Sequence, residues 1–122
     1  MEALRVHTTL PAGVDTPAAA RAFVREAVED VAVPVEDLAL VVSELVTNAV
    51  VSGSAAIALD LTVDAARVLV EVADDAPPTH PVAAQVEDDG GRGLMLVSRL
   101  ARRWGIRADG PRKVFWADLA AS

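Results

Sequence analysis

The 122-residue chain has no cysteine and no tyrosine, and its aromatic side chains are limited to Phe23, Trp104, Phe115 and Trp116. Without thiols it can build neither a disulfide framework nor a thiolate metal centre, and a cytoplasmic setting is expected. Histidine is scarce too. His7 and His80 stand far apart with no His or Cys at ligand spacing, so no zinc site is expected. Lysine is represented by Lys113 alone; the other ten of the 11 cations are arginine. Against 18 carboxylates this leaves a formal charge of −7, which argues against nucleic acid and anionic membranes as partners. Long hydrophobic runs are missing as well. The longest uncharged stretch, Leu45 to Leu59, is too short for a bilayer span and contains Thr47, Asn48, Ser52, Gly53 and Ser54. Met1 to Thr9 carries Glu2, Arg5 and His7, so no signal peptide is expected.

What is present is apolar: 52% of residues are hydrophobic and 24% charged, enough to bury one core, and residues 1–122 read as a single domain without repeats. Leu4 to Leu10 alternates as a strand ending at Pro11-Ala12-Gly13. A helix follows, with Asp15 or Thr16 as N-cap, Pro17 at its first position, and Ala20, Phe23, Val24, Ala27, Val28 and Val31 at helical spacing. A second helix opens at Pro34, carries Glu36 and Asp37 in its first turn, and runs to about Ser52 before Gly53 stops it. Ala56 to Val63 and Arg67 to Ala73 read as a hairpin about Asp64-Ala65-Ala66. From Asp74 to Gly91 the texture turns to Asp, Pro and Gly, which suits a lid or binding loop. Gly93 to about Arg103 reads as a helix, and Trp104 to Ala108 and Lys113 to Leu119 as strands joined by Asp109-Gly110-Pro111. This order predicts an α+β two-layer sandwich, a mostly antiparallel mixed sheet with helices on one face.

Three places have residues suited to chemistry. In Ser43-Glu44-Leu45-Val46-Thr47-Asn48-Ala49 of the second helix, with Leu38 at zero, Leu45 and Ala49 fall at about 340° and about 20°, and Glu44, Asn48 and Ser52 at roughly 240°, 280° and 320°. The acid and the amide thus form a stripe flanking the apolar face. Such a stripe serves either as a solvated flank or as a site where a carboxylate takes a proton from a hydroxyl beside an amide that ligates Mg²⁺. Asp74 continues the line of Val68, Val70 and Val72, so it ends either in an Asx turn or at the core edge, where a carboxylate requires a donor such as the amine of adenine. Gly90-Gly91-Arg92-Gly93-Leu94-Met95 opens a helix with bare backbone amides, an ordinary loop or an anion site to which Arg92 adds charge. It lacks the Gly-Lys-Ser/Thr of a Walker A loop.

Taken in order, these elements resemble the histidine-kinase-like ATPase superfamily, whose Bergerat ATP-binding fold is shared by gyrase B-type and sensor-kinase ATP domains. The pattern is most similar to the single-domain anti-sigma-factor serine/threonine kinases: Ser43 to Ala49 as N box, Val72-Ala73-Asp74 and Gly91 to Val97 as G boxes, Leu100 to Gly105, and the closing Lys113 to Leu119. The resemblance implies Glu44 as general base and Asn48 as Mg²⁺ ligand. It implies Asp74 as adenine reader, with Gly91, Arg92, Gly93, Leu94 and Lys113 also at the ATP site. A lid over about 75–92 would hinge on Gly91 and Gly93. The implied activity is transfer of the γ-phosphoryl group of ATP to Ser or Thr of an anti-sigma antagonist, with a sigma factor as a further partner and a homodimer also open. The alternative is a non-catalytic nucleotide- or protein-binding regulatory module. Departures from the pattern are Val51 and Ser52 after the N box, Ala76 in place of the first G-box glycine, and Arg112 before Lys113.

Overall fold

A computed structural model of the chain describes residues 3–53, 55–74 and 90–122, without the side chains of 90–93. Its elements are β1 (Leu4–Pro11), α1 (Thr16–Ala27), α2 (Val35–Val51), β2 (Ala56–Val63), β3 (Arg67–Asp74), α3 (Gly90–Leu100), β4 (Arg103–Asp109) and β5 (Arg112–Ala120). Element types and order match the sequence reading; some boundaries do not. The third helix opens at Gly90 instead of Gly93 and closes at Leu100 instead of near Arg103. Strand pairing explains the early end, because Arg103 is already opposite Asp118 and the Arg102 N–H donates to the Asp118 carbonyl at 2.8 Å. The first helix stops at Ala27, and Val31 reaches the core from a turn beyond it. Residues 75–89 of the expected lid, with Ala76 and His80, lie outside the described residues.

The local chemistry of the ends is specific. Asp15 occupies the N-cap of α1 without a capping hydrogen bond. Thr16 instead ties the helix to β1: its Oγ1 accepts from the Gly13 N–H at 2.8 Å and donates to the Pro11 carbonyl at 2.7 Å. At the far end of α2, Gly53 takes φ +91°, a left-handed turn that a side chain would strain. In the β2–β3 hairpin, Asp64 Oδ1 accepts from the N–H groups of Ala66 at 2.8 Å and Arg67 at 2.9 Å. These bonds, Ala66 foremost, hold the Asp64 carboxyl below its ordinary pKa.

The sheet order is β1-β2-β3-β5-β4, and every neighbouring pair is antiparallel, so the described sheet is not mixed. Alternation sends one set of side chains toward the helices: Ile57, Leu59, Leu61 and Val63 from β2, Val68, Val70 and Val72 from β3, Phe115, Ala117 and Leu119 from β5. α2 lies against these three strands, α1 against β1, and α3 against α2 and β4. Among the described residues no helix is long and apolar enough to cross a membrane.

Candidate functional site

α2 and α3 run antiparallel, because Pro34 and Asp37 at the start of α2 line the same cleft as Arg99 and Leu100 at the end of α3 and Ala101 and Arg102 just beyond it. The end of α2 and the start of α3 therefore share one end of the molecule. β3 finishes there too: β2 leaves α2 after a short turn, its Ile57 faces Asp74 across the ladder, and Asp74 faces Lys113 of β5. Glu44, Asn48, Asp74, Lys113 and the first turn of α3 are thus gathered from distant parts of the chain.

The helical stripe is placed as its periodicity predicts. Leu45 and Ala49 are fully buried, and Glu44 and Asn48 are half-buried on the flank. Glu44 makes no hydrogen bond or ion pair among the described residues, which leaves its carboxylate unengaged by them. The Asn48 Nδ2 is buried and has no hydrogen-bond partner among the described residues. A buried amide with unused hydrogen-bonding capacity is costly, and a bound polar group is one remedy. Ser52, a departure from the family pattern, is turned inward, and its Oγ donates to the Asn48 carbonyl at 2.9 Å. Val51 is exposed. Thr47 faces outward and back-bonds to the Ser43 carbonyl at 2.7 Å, so its place in the helix is a local matter.

Asp74 is more enclosed than the core-edge position expected for it: it is fully buried. Its Oδ2 is 3.8 Å from Lys113 Nζ, on a lysine side chain itself only 11% exposed. The chain's one lysine thus stands within ion-pair range of this carboxylate, an internal cation at the place where a ligand's donor was expected. Because α3 begins at Gly90, its first turn is Gly90-Gly91-Arg92-Gly93, and these four residues hold the backbone N–H groups without intrahelical partners. Leu94 is the next residue, and its side chain is part of the core. Arg112 is exposed at the start of β5, opposite Asp109.

Two polar arrangements were not legible beforehand. Arg21 of α1 donates to Ser43 Oγ at 2.8 Å, tying α1 to the first residue of the motif. On the sheet face away from the helices, Asp118 is buried and bound by Arg102 at 3.1 Å and Arg103 at 3.2 Å, with Arg67 at 3.6 Å. Burial pushes its carboxyl pKa up, but the hydrogen bonds from Arg102 and Arg103 and the charges of Arg102 and Arg67 prevail, leaving it below the ordinary value. The adjacent Arg102-Arg103 pair was a signal; the strand register that aims both at Asp118 was not readable.

A family model described as the histidine kinase-like ATPase domain matches residues 10–117. No curated protein sequence matches the chain. Among solved structures, the chain is similar to the crystal structure of the RsbU and RsbW domains of Rv1364c from Mycobacterium tuberculosis, with a TM-score of 0.70 at 21% identity. The similarity covers 97% of this chain and 33% of that one, so the chain spans about one third of the length of the protein it matches.

Proposed function

We propose, for a chain that belongs to the histidine kinase-like ATPase family, that its ATP site is the end of the molecule where α2, β3 and α3 meet, and that it transfers the γ-phosphoryl group to a protein hydroxyl. The observation that carries this is the meeting of Glu44, the buried uncommitted amide of Asn48, the buried Asp74 and the glycine-rich first turn of α3. In this reading Asp74 accepts from the adenine amine and the backbone amides of α3 receive the phosphates, with Arg92 adding charge. Asn48 would hold Mg²⁺, which supplies charge neutralisation when bound. Glu44 takes the proton of the acceptor Ser or Thr as its oxygen bonds to the γ-phosphorus and the bond to the β-phosphate bridging oxygen breaks, releasing ADP. Such transfer depends on positioning and charge more than on covalent chemistry. The resemblance of the motifs supports an anti-sigma antagonist as acceptor and a sigma factor as partner.

Calorimetric titration with ATP, with and without Mg²⁺, tests the site. Saturable, Mg²⁺-dependent binding that Asn48→Ala removes supports it, and absence of heat refutes it. Glu44→Ala is expected to abolish transfer while leaving ATP binding largely intact. A second reading, a regulatory module without catalysis, is favoured by the contact of Lys113 with Asp74, which supplies an internal cation where a ligand would bind. ATP binding by wild-type chain with no transfer to any offered antagonist protein would select it.

A further inference from the structure

The sheet face away from the helices is where the chain departs from polar-outward alternation. Leu69 and Trp116 are half-buried there, beside the buried Ala58, Ala73 and Val114. The register puts Glu71 opposite Trp116 and Leu69 opposite Asp118, so Leu69, Trp116 and Val114 form one apolar band over β3 and β5. Trp116 also faces Gly105 of β4, where a Cβ would come within 3.0 Å of the indole nitrogen. The ring therefore leans over the glycine, and Arg103 and Arg107 flank it two residues to either side on β4.

Around this band the arginine side chains of 67, 102, 103 and 107 are between 40% and 70% exposed, even though each contacts Asp118 or Glu71. The charge of the chain is divided unevenly. By strand parity and the hairpin contacts, the sheet face carries Arg5, Arg67, Arg102, Arg103, Arg107 and Arg112 against Asp60, Asp64, Glu71, Asp109 and Asp118, six cations to five carboxylates. The rest of the chain holds the remaining five of 11 cations and 13 of 18 carboxylates. Among those whose side chains are described, Arg21, Arg25, Arg99 and Lys113 stand against eight carboxylates, so a face of net charge +1 lies on a described body of −4.

We infer that this sheet face is a docking surface for an acidic protein segment, one with apolar side chains that cover Leu69 and Trp116 and carboxylates that meet Arg67, Arg102, Arg103 and Arg107. An apolar centre holding a tryptophan, rimmed by arginine, is the anatomy of a protein interface, and aromatic and arginine anchors are where binding energy concentrates. Asp118 and Glu71 aim the guanidinium groups without neutralising the rim. The small net charge and the apolar centre favour a protein over nucleic acid, whose phosphates call for a strongly basic surface. The surface lies on the layer opposite the helices and does not depend on the ATP-site reading.

The test uses the intact chain and three probes: a synthetic peptide of alternating Glu and Leu, its Lys and Leu counterpart, and a short DNA duplex, each followed by tryptophan emission in a Trp104→Phe background that leaves Trp116 as reporter. The Glu/Leu peptide is expected to shift Trp116 emission saturably and to lose affinity as salt is added. Arg103→Glu with Arg107→Glu is expected to weaken it about tenfold or more. Because Arg103→Glu and Arg107→Glu also remove the contacts to Asp118 and Glu71, Arg103→Gln alone, which leaves Asp118 its bonds to Arg102 and Arg67, serves as the mild variant, with a smaller loss at unchanged circular dichroism. Absence of Glu/Leu binding, equal binding of the Lys/Leu peptide, preference for the duplex, or indifference to both arginine variants would each overturn the assignment.

Discussion

Replacing Asp118 probes how a buried carboxylate is retained on a sheet face. Asp118→Ala deletes two charge-assisted hydrogen bonds, each worth roughly 1.5–3 kcal/mol, and the weaker attraction of Arg67. It also relieves the cost of keeping that carboxylate out of water, which is several kcal/mol for an ion. The three arginine side chains are 40% to 70% exposed and rehydrate when released, so no cation is left buried alone. The balance is a destabilisation of about 2 kcal/mol, or a fall in Tm of roughly 6–10 °C for a chain of this size. Arg103→Ala, which leaves Asp118 two other cations, is expected to cost under about 1 kcal/mol. The pH dependence provides a second readout. A folded-state pKa held below the unfolded value contributes stability that is present above the unfolded pKa of about 3.9 and is lost as pH falls through the folded one. Urea unfolding followed by circular dichroism from about pH 7 to about pH 3 therefore gives a gap between wild type and Asp118→Asn that narrows in acid. An Asp118→Ala cost within about 0.5 kcal/mol of zero, the range of an ordinary surface change, would refute the reasoning. So would a wild type and Asp118→Asn that lose stability in parallel below pH 4.

Phe115, 1% exposed and the largest fully buried side chain, anchors the core, and Phe115→Ala is expected to cost about 3–5 kcal/mol in urea unfolding. Gly53→Ala places a Cβ at φ +91° and is expected to lose about 1 kcal/mol or more, although nothing crowds the position in space. Lys113→Met leaves the Asp74 carboxylate buried with one cation fewer, for a loss of about 2–3 kcal/mol. Adding Asp74→Asn is expected to restore part of this, and strict additivity of the two changes in a double-mutant cycle would deny the coupling. Gly105→Ala forces the Trp116 ring off β4; a blue- or red-shifted Trp116 emission with a loss of about 1 kcal/mol is expected from the 3.0 Å approach.

The elements legible in the sequence were those whose period and punctuation agreed. Val68, Val70 and Val72 alternate and are all buried, and the hairpin at Asp64 is held by the very side chain that marked it. The stripe of Glu44 and Asn48 followed from Leu45 and Ala49 pointing inward, because helical geometry is local. What local periodicity does not contain is register between distant strands. The contact of Lys113 with Asp74 and the convergence of three arginines on Asp118 both depend on β5 inserting between β3 and β4. The early end of α3 has the same cause: the sequence reads as helix to about Arg103, and a ladder partner 15 residues later claims that residue for β4.

The opposition of Asp74 and Lys113 makes the candidate site an inspector of strand alignment. Side chains alternate between the two faces of a strand, so sliding β5 by one residue would carry Lys113 through the sheet and offer Asp74 either Arg112 or Val114, with Phe115 expelled from the core. Any ligand gripped by Asp74 and Asn48 together would then bind only chains paired in the correct register, and by mass action would deplete the misaligned ones. Occupancy of that end of the molecule would proofread the assembly of the sheet beneath it.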